Sequence, residues 1–156
     1  MKSKGGGTVA YRMYVMARDA AELATRAGGL IVDRRMSGWQ VSVQLLEAVD
    51  ARAVQILGAE VVEMLSIPQE DEQCVLVTGA QLYAETISDG EQRLLAGCSE
   101  ILLWGESADP SDLFGHTLSA AARVFKAQAA GVSPDTVGAV ETFTSMKAKV
   151  GITRRA

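Results

Sequence analysis

At 156 residues and 16.5 kDa the chain suits one domain, and about two-thirds of its unfolded surface is expected to be buried on folding, so a core can form without metal or disulfide staples. Its residues are 48% apolar, 22% charged and only 5% aromatic, which fits a globular protein with an aliphatic core. The net charge of −4 is uneven: Lys2, Lys4, Lys147, Lys149, Arg154 and Arg155 stand in the tails without an acid, leaving 9 bases against 19 acids, about −10, over residues 8–146, which disfavours nonspecific nucleic-acid binding by the folded body.

Residues 8–16 alternate and predict a strand with Val9, Tyr11, Met13 and Val15 on one face. Asp19 can cap the next helix, whose stripe is Leu23, Ala27, Leu30 and Ile31, with Glu22, Arg26, Asp33 and Arg34 off it. The pair Gly28-Gly29 weakens this helix and is an alternative end for it. A run to Ser37, stopped by Gly38, fits the stripe better. Trp39–Leu45 alternates strictly, as a half-exposed strand near a sheet edge does. Asp50 can cap a short helix Ala51–Leu57 ended by Gly58, and Glu60–Leu65 reads as a strand. Ser66–Gln73, with Pro68 and the acids Glu70, Asp71 and Glu72, reads as a loop whose acids are solvated rather than cation-binding.

Cys74–Val77 and Ile101–Trp104 are unbroken apolar runs, expected at the sheet centre with both faces covered. Between them a helix starts near Ala80, with a break at Ser88-Asp89-Gly90 and a continuation through Leu94–Ala96; Gly105–Asp112 reads as polar loop. Leu118–Ala130 is the strongest helix, with a stripe of Leu118, Ala121, Ala122, Phe125 and Ala129, Arg123 and Lys126 outside it, and Gly131 as its stop. Ser133-Pro134-Asp135 opens a last helix expected to reach Lys149.

Strands alternating with helices predict an α/β fold: a Rossmann-like, doubly wound, mostly parallel sheet with helices on both faces. Residues 8–150 form the domain, and 1–7 and 151–156 are basic tails. No apolar run is long enough to span a bilayer, and the start lacks the apolar stretch of a signal peptide, so a cytoplasmic protein is expected. Cys74 and Cys98 read as reduced buried thiols, with a disulfide between them left open.

The turn after the first strand, Met16-Ala17-Arg18-Asp19, has no glycine and an acid where a phosphate would sit, so a dinucleotide site is disfavoured. The later strand ends, Thr78-Gly79-Ala80 and Trp104-Gly105-Glu106, can line a crevice. Leu30–Trp39 looks like the phosphoacceptor stretch of receiver domains, but the acidic pair is absent and the spacing fails, leaving Asp33 as a solvent-facing helix residue. The sole histidine, His116, lies near Asp112 and Ser119 without a nucleophile elbow, and one histidine with unclustered cysteines speaks against zinc. The candidate ligand-binding residues are His116, Arg123 and Lys126, and no cofactor is expected.

Segments Val32–Trp39, Ile56–Ala59, Leu102–Gly105 and His116–Ala129 resemble a set of uncharacterised actinobacterial α/β domain proteins over residues 18–130; the resemblance implies no activity. The leading functional expectation is a non-catalytic binding or assembly module, contacting a protein partner or another copy through the half-exposed strand. The alternative is a small-molecule or nucleotide-binding protein, or a degenerate enzyme, using the crevice at the strand C-termini. Membrane contact is not expected, nor nucleic acid except through the basic tails.

Overall fold

The computed structural model describes residues 10–47, 50–65, 72–87, 98–105 and 112–147. Among them β1 (Ala10–Ala17), β2 (Gln40–Leu45), β3 (Glu60–Val61), β4 (Glu72–Gly79), β5 (Glu100–Trp104), β6 (Leu113–Thr117) and β7 (Val140–Lys147) form one sheet in the order β3-β2-β1-β4-β5-β7-β6. The first five are parallel, and β7 runs antiparallel to both of its neighbours. The helices are α1 (Ala20–Met36), α2 (Ala51–Ile56), α3 (Ala80–Ile87) and α4 (Ala120–Ala130), with a 3-10 turn at Pro134–Thr136. Helices α1, α2 and α4 cover one face and α3 lies on the other, so the doubly wound, mostly parallel Rossmann-like sheet is the observed fold.

Strand β4 lies between β1 and β5. Side chains alternate across a strand, so Met13, Val15, Val75, Val77 and Leu102 meet α1, α2 and α4, while Tyr14, Met16, Leu76, Ile101 and Leu103 meet Leu82 and Cys98 opposite. Each such side chain stabilises the fold by roughly 1.5–3 kcal/mol on burial. The two apolar runs are central, as their lack of alternation requires, and β1 beside them is covered on both faces as well.

Local signals set α1 and α2 closely. Asp19 Oδ1 accepts from the Glu22 amide at 2.8 Å to start α1, which ends at Ser37 before Gly38 at φ +100°. The helix passes through Gly28-Gly29 because the space there is taken. A Cβ on Gly29 would stand 2.3 Å from Leu118 Cγ, so the glycine permits close approach rather than a stop. Asp50 caps α2 and Gly58 follows it at φ +92°.

Elsewhere tertiary structure corrects the sequence reading. Strand β2 lies next to the edge strand, as expected, but is covered rather than half exposed: β1 pairs along one side, β3 takes the middle of the other through Ser42↔Glu60 and Val43↔Val61, and Val41, Ser42, Val43 and Leu45 are buried. The Glu60–Leu65 strand shortens to two residues, since the Leu65 amide turns to Gln44 Oε1 at 3.1 Å. Gln73 belongs to β4 rather than a loop, and His116 lies on β6.

The expected last helix yields only its first turn. Ser133 caps it and Pro134 opens it, but Val140, Thr142, Phe143 and Thr144 are β-branched or aromatic, and β7 buries Glu141 and Phe143 between β5 and β6.

Cys74 and Cys98 are joined by a disulfide, with Cα atoms 4.8 Å apart, which corrects the reading of two free thiols. The parallel pairing that sets Val75 against Glu100 brings the starts of β4 and β5 together, a proximity neither local sequence displays. The two tail ends (1–9 and 148–156), the acids Glu70 and Asp71, and the helix continuation through Leu94–Ala96 lie outside the described residues. No helix among the described residues is long and apolar enough to cross a membrane.

Candidate functional site

From β1 the chain moves outward to β2 and β3, then returns to place β4 on the other side of β1 and continues to β5. Connections therefore leave β1 and β4 in opposite directions, and such a switch point opens a crevice above the strand C-termini. A crevice of about 330 Å³ lies there, lined by Arg18 after β1, Glu22 and Arg26 on α1, Gly79–Leu82 where β4 passes into α3, and Trp104-Gly105 at the end of β5.

Its walls are fixed by Glu22. One carboxylate oxygen accepts from the Arg18 amide at 3.0 Å and the other from the Trp104 indole N–H at 3.1 Å, tying β1, α1 and β5 together. Trp104 is almost fully buried. Gly79 lets the indole approach, because a Cβ there would stand 3.0 Å from Trp104 Nε1. The Arg18 guanidinium turns to Glu85 at 3.1 Å and approaches Glu47 at 4.0 Å. Arg26 is exposed and has no hydrogen-bond or ion-pair partner among the described residues.

A smaller recess of about 120 Å³ adjoins it, sharing Arg26 and Gly105 and otherwise lined by Leu103, Leu113, Thr142, Phe143 and Thr144. The opposite end of the sheet carries a hollow of about 470 Å³ near Arg12 and Arg35. Its arginines are structural: Arg35 donates to the Gly58 and Trp39 carbonyls at 2.9 and 3.1 Å, and Arg12 reaches Ser42 Oγ at 3.5 Å. The switch-point crevice, at the strand C-termini, is the candidate site.

The three residues singled out from sequence sit elsewhere, each with an internal partner. His116 Nε2 lies 2.8 Å from Asp33 Oδ2, and because an ionised carboxylate only accepts, that nitrogen carries the hydrogen. Ser119 donates its hydroxyl to Asp33 Oδ1 at 2.6 Å and its amide to Oδ2 at 3.1 Å, while its Oγ accepts from the Ala122 amide as the cap of α4. The hydroxyl is thus committed to Asp33 and the helix, and is not aimed at the imidazole. Asp33 does not face solvent, contrary to the sequence reading. Burial works against its charged form, but the Ser119 hydroxyl and amide and His116 outweigh it and hold the carboxyl below its usual range.

Lys126, expected outside the apolar stripe, is buried. Its Nζ meets Glu141 Oε2 at 2.8 Å, and the same carboxylate accepts from the Gly29 and Leu30 amides at 2.7 Å each. Phe125, expected on the stripe, is 41% exposed instead. Arg123 donates to the Val137 carbonyl at 3.4 Å. None of the three lines the switch-point crevice.

The strand ends Gly79-Ala80 and Trp104-Gly105, which the sequence allows to line a crevice, do so, whereas for Glu22 and Arg26 the sequence shows only that they lie off the apolar stripe of α1. Their position in the first two turns after β1 was the available signal. Among the described residues no three His, Cys, Asp or Glu side chains form a metal-binding group.

No protein-family model matches the chain, and no curated protein does. In solved structures it is similar to the A40926 pseudoaglycone deacetylase Dbv21, with a TM-score of 0.53 and 11% identity over 88% of this chain and 98% of that one. A deacetylase triple mutant from the teicoplanin biosynthetic pathway aligns with a TM-score of 0.49 and 10% identity over 87% of this chain and 98% of that one. The expectation of a non-catalytic assembly module is corrected here. The Dbv21 fold, which this chain shares, belongs to an enzyme, and the crevice found at the strand ends is what the alternative small-molecule reading requires.

Proposed function

We propose that the chain is a small-molecule-binding protein on an enzyme-like fold, with its ligand in the switch-point crevice. The observation that carries this is the convergence of Arg18, Glu22, Arg26, Gly79 and Trp104 around about 330 Å³ at the β1/β4 divergence. That volume falls within the range of small-ligand sites, and the location is where open α/β sheets hold their ligands. Glu22 preorganises the walls, so little ordering is left to binding.

The test is a melting screen against nucleotides, acidic metabolites and N-acylated small molecules. A ligand at a hundredfold excess over Kd adds about 2.7 kcal/mol, which for a chain of this size raises Tm by roughly 5–10 °C. Ala80→Phe, which adds bulk to the crevice wall, should abolish the shift. A blank panel, or a shift that survives this substitution, refutes the reading.

Hydrolysis is the second reading, favoured by the fold shared with Dbv21. It needs a base to take a proton from water, and Glu22, the carboxylate among the described lining residues, accepts a hydrogen bond at each oxygen, which stabilises its charged form and weakens it as a base. Binding without turnover is therefore the expected result of an acetate-release assay on N-acetylated substrates. Release that disappears in Glu22→Gln would establish catalysis instead.

A further inference from the structure

Taking the crevice as the binding site, we infer that its ligand carries a carboxylate on a short apolar group, with the carboxylate held by Arg26. Among the described residues the other charges lining the crevice already have partners. The Arg18 guanidinium lies against Glu85 and Glu47, and the Glu22 oxygens accept from the Arg18 amide and Trp104. Arg26 keeps its planar fork of donors, the geometry that matches a carboxylate through two parallel bonds.

The position of Arg26 adds the second half of the inference. It stands on the wall common to the main crevice and the recess of about 120 Å³, whose other walls are Leu103, Leu113 and Phe143 with two threonines. An anion meeting Arg26 at this junction has an apolar recess beside it and polar space ahead. A monoanion fits better than a phosphate dianion, because Arg26 offers one positive charge and Glu22 lies one helical turn away on the same face of α1.

Trp104 supplies the readout. The chain has two tryptophans, so Trp39→Phe leaves Trp104, in the crevice wall, as the sole fluorophore of its kind. In that background hexanoate, hexanamide and inorganic phosphate are titrated separately against Trp104 emission. Hexanoate should give a saturable change, with hexanamide and phosphate at least about tenfold weaker, the factor that losing a charge-assisted hydrogen bond implies. Arg26→Gln should weaken hexanoate by a similar factor and Arg26→Lys by less. Both are surface substitutions on α1 whose folding is checked by circular dichroism.

Hexanamide binding as tightly as hexanoate, phosphate binding more tightly, or indifference to Arg26→Gln each overturns the inference. Each leaves the crevice reading standing, because Trp104 still reports occupancy. Silence of Trp104 toward all three probes also overturns the inference; the crevice reading falls with it only if the wider melting screen is blank too.

Discussion

Glu141→Gln tests the account of the buried charges most directly. The Glu141 carboxylate, 2% exposed at the side chain, holds three donors: the Gly29 and Leu30 amides at 2.7 Å and Lys126 Nζ at 2.8 Å. An amide of the same shape presents one oxygen and one NH2 group. With its oxygen toward Gly29 and Lys126, its NH2 opposes the Leu30 amide, donor against donor, at about 1–3 kcal/mol for an unmet buried group. Lys126 also loses its counter-charge. Removing one partner of a buried pair costs about 3–5 kcal/mol in all, a large share of the roughly 5–15 kcal/mol typical of a domain. For a urea slope of about 2 kcal/mol/M the unfolding midpoint falls by about 2 M. Lys126→Met keeps the stem that lies against Gly28 and removes only the charge, so the double variant should be less destabilised than the two single effects added together. A midpoint loss under about 0.5 M at unchanged slope, or strict additivity in the cycle, would show that the carboxylate does not organise this part of the core.

Three further outcomes follow from the same structure. Gly29→Ala, which in an open helix stabilises by up to about 1 kcal/mol, should instead destabilise by about 1–2 kcal/mol in urea unfolding, because its Cβ meets Leu118 Cγ at 2.3 Å. Asp33→Asn should cost about 2 kcal/mol at neutral pH through lost charge-assisted hydrogen bonds. Because the folded carboxyl is held below the ordinary value of 3.8, its contribution is present above that value and lost as pH falls through the folded one, so the gap to wild type should close in acid unfolding series. Reduction of Cys74–Cys98, which are 24 residues apart, should lower stability by about 3 kcal/mol, seen as a lower Tm with reductant and reproduced without it by Cys98→Ser.

The fold was legible where the deciding physics is local. Asp19, Ser37, Gly38 and Asp50 act through backbone groups a few residues away, so the bounds of α1 and α2 were close to those observed. Cys74–Val77 and Ile101–Trp104 announced a central position because strands covered on both faces lose their alternation. Local signals failed at β7. The cap and proline at Ser133-Pro134 are real, but they start only one turn, and the fate of the next residues was set by strand partners from β5 and β6. The disulfide was hidden for the same reason, since strand order, not sequence spacing, brings Cys74 to Cys98.

The same distinction explains why the candidate site moved. His116, Lys126 and Arg123 attracted attention as polar residues clustered near a helix start, yet clustering in sequence does not tell whether a polar group meets a ligand or another part of the core. Burial requires partners, so a buried or half-buried charge is found already paired: Lys126 with Glu141, Asp33 with His116 and Ser119. These pairs tie α1 to β6, β7 and α4, and their donors and acceptors are largely consumed in doing so. A binding group must keep capacity in hand, and the switch point is where this topology leaves room for it. Arg26 combines that location with a guanidinium that has no partner among the described residues. In an α/β chain of this kind, unspent hydrogen-bonding capacity at the diverging strand ends is a better guide to the site than the density of chemically suggestive residues.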